Sequence, residues 1–194
     1  MKKYFALFLA GIFAAVSAQA GEIYKIDPVH SSINFKVRHF FSYVTGSFTK
    51  FEGTIDFDPD HPEKSSVKAT IEAASIDTKN DRRDAHLRSS DFFDASKFPT
   101  ITFRSKSVKQ TGADRGDIVG DLTMHGVTKE IVLHAKLLGK GKGMDARGMS
   151  GWEATTEPIH RVDYGLNWGK NVGGTAVVGA DVEVTIEIEA DEGS

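Results

Sequence analysis

The side chains best equipped for chemistry sit in one charged stretch. Arg83, Asp84, His86 and Asp91 place a cation, two carboxylates and an imidazole within nine residues, the components of general acid–base catalysis. The same pattern also suits structure. Asp81 or Asp84 near a helix start would face the positive end of the helix dipole, and the charges could pin a short helix to its neighbours. From the residues alone both roles stand. His39 is the second candidate. In Ile33-Asn34-Phe35-Lys36-Val37-Arg38-His39 it shares a face with Ile33, Phe35 and Val37, while Arg38 points the other way. An imidazole on an apolar face needs a hydrogen bond. Either a ligand head group or a neighbouring strand can supply it.

Other chemistries are excluded or weakly signalled. The chain has no cysteine, so disulfides, thiolate nucleophiles and Cys-ligated metals are absent. Its seven histidines include no His-Glu-x-x-His spacing. His125 and His134 fall on facing strands of an expected hairpin, but out of phase with each other. No metal and no cofactor is expected. Gly148-Met149-Ser150-Gly151 lacks the spacing of a nucleophile elbow. Gly139-Lys140-Gly141-Lys142-Gly143 lacks the P-loop pattern, and Arg115-Gly116-Asp117 reads as a charged turn. A formal charge of −3 leaves no basic footprint for nucleic acid. The expectation is a non-enzyme.

The elements that would position these residues are mostly strands. Met1-Lys2-Lys3, the apolar run Tyr4 to Val16 and Ser17-Ala18-Gln19-Ala20 have the order of a secretory signal peptide cleaved after Ala20. Thirteen apolar residues are too few to span a hydrocarbon core of ~30 Å. Residues 21–194 then form one domain of 174 residues and charge −5, with no transmembrane segment, in the periplasm. From Val178 to Ala190, apolar residues alternate strictly with Gly179, Asp181, Glu183, Thr185, Glu187 and Glu189. This is a long half-buried strand. Similar alternation runs through 33–39, 44–57, 67–73, 101–103 and 118–137, with a phase slip at Thr49-Lys50 that predicts a bulge or sharp bend. Only Asn80 to Asp94 breaks it, as one or two helical turns and a loop. The five glycines between 139 and 151 predict a flexible connection. The fold class is all-β, an extended antiparallel barrel with one short helix. A membrane barrel fits poorly, because its aromatics would girdle both ends of each strand.

Several segments together resemble one family. They are Ile26-Asp27 with His30, Ile33 to His39, Gly46-Ser47-Phe48 with Phe51-Glu52-Gly53, and Ser75-Ile76-Asp77-Thr78 leading to Arg82 through Phe93. Lys97-Phe98-Pro99, Thr102-Phe103 and Gly120 through Lys129 complete the set. The chain is similar to the YceI-like family of exported lipocalin-fold proteins. That resemblance implies a barrel enclosing a long apolar molecule, associated in the family with polyisoprenoids, quinone-type ones included, and with fatty-acid derivatives. It weakens after Gly139, where Ile159-His160-Arg161-Val162-Asp163-Tyr164 is less diagnostic.

Phe35, Val37, His39, Phe48, Ile71, Phe103, Leu122, Met124, Leu133, Val184 and Ile186 are the expected ligand-binding residues. Alternation alone does not separate a filled barrel from a hollow one, and the resemblance favours the hollow one. The expected function is periplasmic binding of a long-chain isoprenoid or fatty-acid-like ligand. Two alternatives stand beside it. One is an enzyme acting on such a lipid through His39 or Asp84–His86. The other is an interaction module using Asp181, Glu183, Glu187 and Glu189. Oligomeric state, a homodimer included, stays open.

Overall fold

The computed structural model describes residues 21–144 and 146–193. The signal-peptide reading, Met1 to Ala20, lies outside the described residues. The chain forms β1 (Glu22–Ile26), β2 (Ser32–His39), β3 (Ser42–Phe48), β4 (Phe51–Phe57), β5 (Ser66–Glu72), β6 (Ile76–Asp77) and helix α1 (Asp81–Arg88). There follow β7 (Thr100–Gln110), β8 (Arg115–Met124), β9 (Val127–Lys142), β10 (Gly148–Thr156), β11 (Ile159–His160), β12 (Asn171–Val172), β13 (Thr175–Ala176) and β14 (Val178–Glu192).

The strands close into an eight-stave antiparallel barrel. Three staves are bent pairs of strands. β1 and β2 lie end to end along the same edge of β14, Tyr24 opposite Glu192 and Ile33 opposite Ile186. β4 pairs with β1 and β3 with β2, so the chain turns a corner between them at Thr49-Lys50. β5 and β6 repeat the corner at Ala73–Ser75, pairing with β4 and β3 respectively. The phase slip read from the sequence is therefore the middle of three aligned bends. The bends are tied by the Thr49 N–H to the Ser75 carbonyl at 3.1 Å and the Glu72 N–H to the Lys50 carbonyl at 3.0 Å. At the first bend the Asp27 N–H donates to the Glu189 carbonyl, and the Glu189 N–H to Ser31 Oγ at 3.0 Å.

The glycine-rich region differs from its expectation. β9 runs through Gly139 and Gly141 to Lys142, and β10 begins at Gly148, leaving only 143–147 as connection. Glycine weakens a strand, but ladder pairing from Lys142–Gly148 onward holds these residues extended. Arg115-Gly116-Asp117 likewise opens β8 rather than forming a turn. The β8–β9 hairpin turns at His125-Gly126, both with positive φ, the geometry of a tight two-residue loop.

One end of the barrel is covered. Asn80 caps α1, its side chain accepting from the Arg83 N–H at 3.0 Å. Buried Asp84 accepts from the Thr78 N–H at 2.9 Å and from its hydroxyl. Arg88 donates to the Ala74 and Ile76 carbonyls. Phe92, Tyr164 and Leu166 are buried in the cluster beneath, with Trp168 packed against it. The charged stretch thus anchors the cap.

Candidate functional site

Closing the sheet turns one face of every long strand inward. The result is a cavity of about 480 Å³, within the range of small-molecule sites. Its wall is apolar along most of its length. Val182, Val184, Ile186 and Ile188 of β14 face it, with Ile131, Leu133 and Ala135 of β9 and Ile118, Leu122 and Met124 of β8. Polar residues occur at the ends. Ser65, Gln110, Asp114, Arg115 and Lys140 stand at one, Thr156 and Arg161 toward the other. Pro59, Gln110, Ala113, Asp114, Arg115 and Lys140 are both wall residues and exposed, so the lumen opens there. The opposite end is walled by Leu87, Phe92, Phe93 and Leu166, none of them exposed. It is the blind end.

Glycines keep the lumen from filling. A Cβ at Gly120 would stand 2.5 Å from Cζ of Phe103. A Cβ at Gly46 would also collide with the ring of Phe35, whose backbone partner it is. Each ring therefore lies across a bare backbone position on the wall rather than across the lumen.

Ten of the eleven expected residues line this cavity. His39 does not. The register of β14 against β2 shifts between Val178 and Val182, and His39 pairs with Ser42 at the hairpin tip, its ring edge-on to Phe40 at 5.2 Å. Strict alternation from Val37 stops describing the face at that irregularity. Arg83, Asp84, His86 and Asp91 are not wall residues either. Asp84 is committed to Thr78, and His86 Nε2 lies 2.8 Å from Asp91 Oδ2. The four acidic residues of the β14 outer face have partners within the chain: Asp181 has His160, Glu183 has Lys36, Glu187 has the Ser32 hydroxyl and Glu189 has His30.

Lys140, Trp152 and Arg161 are among the wall residues that alternation does not announce. Lys140 faces inward because β9 and β10 shift register between Gly151 and Trp152, a bulge that reverses the facing of the strand. Its ammonium bonds both oxygens of Glu22, at 2.9 and 2.8 Å, and this hydrogen bond holds the Glu22 carboxyl below its usual range. Trp152 packs edge-on against Phe57 at 4.9 Å, and its buried indole N–H has no acceptor among the described residues. Arg161 opens a 3₁₀ turn over Arg161–Tyr164. Its guanidinium is buried and donates to the carbonyls of Gly179 at 2.8 Å, Leu166 and Val178. Burial alone pulls it below its ordinary pKa, because desolvation disfavours the charged form. No period-2 signal marks a residue in a 3₁₀ turn.

The fold also gathers one group with metal-ligand chemistry outside the lumen. Asp27, His30 and Glu189 each bring a ligand atom within 4.8 Å of the others. His30 Nδ1 is 2.6 Å from Asp27 and 3.6 Å from Glu189. Asp27 and His30 are three residues apart, but Glu189 comes from the far end of the chain, so no spacing motif announces the set.

The same architecture occurs in known proteins. A polyisoprenoid binding domain from Saccharophagus degradans shares it at TM-score 0.65, with 18% identity over 88% of this chain and 98% of that one. The crystallised YceI protein of Campylobacter jejuni superposes at TM-score 0.71, 35% identical, covering 79% of this chain and 88% of its own. Protein YceI of Escherichia coli is 44% identical over 150 residues, 76% of this chain and 78% of its own. The model of the YceI-like domain matches residues 24–190, which takes in every barrel stave and both ends of the lumen, and so the chain belongs to the YceI-like family.

Proposed function

We propose that this protein binds a long-chain amphiphile, a polyisoprenoid or fatty-acid-like lipid, in the barrel lumen, and carries or stores it in the periplasm rather than transforming it. One observation carries the reading: the cavity is apolar along its length and polar only at its ends, the profile of an amphiphile laid along the barrel axis. Moving an apolar tail out of water is worth about 25 cal/mol per Å². The Saccharophagus degradans domain, named for polyisoprenoid binding, supports the same ligand class. The expected wall residues other than His39 would contact the tail. No cofactor takes part in this reading, and His39, Asp84 and His86 stand away from the wall.

Native mass spectrometry of protein isolated from the periplasm, followed by organic extraction, tests it. The expected result is a co-purifying lipid of unchanged mass after long incubation. Protein that is always empty and takes up no added isoprenoid or fatty acid would overturn the proposal. Turnover of the bound lipid would replace it with the enzymatic reading.

A further inference from the structure

Arg161 is the buried cation of the lumen, 8% exposed, and it stands at the blind end. Its three hydrogen bonds all go to backbone carbonyls. A guanidinium carries five N–H groups, so two remain uncommitted, matching the two oxygens of a carboxylate. Among the described residues no carboxylate is paired with it. Asp163 is held by Lys129 at 3.0 Å, and Asp181 by His160 at 2.8 Å.

The mouth is different. There Lys140 already holds both oxygens of Glu22, and Arg115 has Asp114 at 3.9 Å. The cations at the open end are matched by anions of the chain, and the one at the closed end is matched only by carbonyl dipoles. A buried charge without a counter-ion is costly, and the terminal methyl of a lipid tail placed against it would recover nothing. An anionic head group would.

We propose that Arg161 anchors the head group of a long-chain carboxylate at the blind end of the lumen, with the tail running toward the mouth. This rests on the lumen being a lipid site and names the chemical class that the site prefers.

The test uses delipidated mature protein with oleate, methyl oleate, oleyl alcohol and a C20 isoprenoid alcohol, each by calorimetry. The wild type should bind oleate about tenfold or more tighter than its methyl ester, the scale of a charge-assisted hydrogen bond. Arg161→Met should erase that preference, the acid losing about tenfold more affinity than the ester, and Arg161→Lys should restore part of it. A merely structural Arg161 would weaken acid and ester alike. Equal wild-type affinity for acid and ester, or a preference that survives in Arg161→Met, overturns the anchor while leaving the lipid site standing. Failure of all four probes to bind overturns both readings. Should Arg161→Met not fold, oleate labelled with ¹³C at the carboxyl decides the matter on the wild type. Magnetisation transfer to the Arg161 guanidinium protons supports the anchor, and a carboxyl resonance that titrates as in water overturns it.

Discussion

Ala154→Phe separates a hollow barrel from a filled one. Ala154 lies in β10 between Ala135 of β9 and Ile186 of β14, and it is part of the lumen wall. In a close-packed interior the added bulk would cost about 1–3 kcal/mol. For a domain of this size that is a fall of roughly 2–12 °C in Tm. With about 480 Å³ of free space beside it, the ring has room, and the ligand-free protein should stay within about 2 °C of wild type. The ligand meets the ring instead. Six carbons occupy the place of roughly four methylenes of tail, each worth about 0.8 kcal/mol. The expected loss of about 3 kcal/mol corresponds to roughly a hundredfold weaker binding. Thr155→Phe, on the exposed outer face of the same strand, is the control and should change neither quantity. Thermal unfolding of delipidated protein and displacement of a fluorescent long-chain probe supply the two readouts. A folded Ala154→Phe variant with wild-type affinity refutes the lumen as the binding site. A large fall in Tm refutes its being hollow at this level.

Gly120→Ala should press the Phe103 ring into the lumen, because the new Cβ would meet both that ring and the Arg104 carbonyl, 2.6 Å away. Weaker lipid binding and a stability loss of about 1–3 kcal/mol are expected, and an unchanged affinity would show that the ring does not border the ligand. Asp84→Ala strands the Thr78 N–H at a buried position, at a cost of about 1–3 kcal/mol, read as a lower Tm with lipid affinity retained in the folded fraction. At the first bend, the hydrogen bond from His30 holds the Asp27 carboxyl below its usual range, and the same bond raises His30. The Asp27 contribution to stability is present above its unfolded pKa and fades as pH falls through its lowered folded value. The His30 contribution is present below its unfolded pKa and fades as pH rises through its raised folded value. The pair is therefore tightest in the mildly acidic window between. An NMR titration of His30 checks this: Asp27→Asn should lower its midpoint, and an unmoved midpoint would count against the coupling.

Much of the barrel is local physics written along the chain. The alternation from Val178 to Ala190 produced one 15-residue strand, and the stretch after Asn80 produced an eight-residue helix. In both cases the signal is the facing of neighbouring side chains or a cap within the element itself. The phase slip at Thr49-Lys50 was legible for the same reason, although its meaning was not. Only the pairing of β3 with β6 and β4 with β5 shows that it is one of three corners stacked across adjacent staves.

The rest depends on partners distant in the chain. Gly139, Gly141, Gly148 and Gly151 read as loop because glycine has no strand preference of its own, yet the β9–β10 ladder holds them extended. A register shift in that ladder turns Lys140 inward, and another on β14 ends the inward row of β2 before His39. Arg161 entered the lumen wall from a 3₁₀ turn that no periodicity announces. Composition and alternation by themselves determined an all-β chain with one short helix and an apolar face on each long strand. Whether those faces enclose filled or empty space, and which charges stand at its ends, was decided only in the tertiary structure. Barrel closure, bulges and the glycines facing Phe35 and Phe103 are relations between strands, and a single strand carries no record of its neighbours.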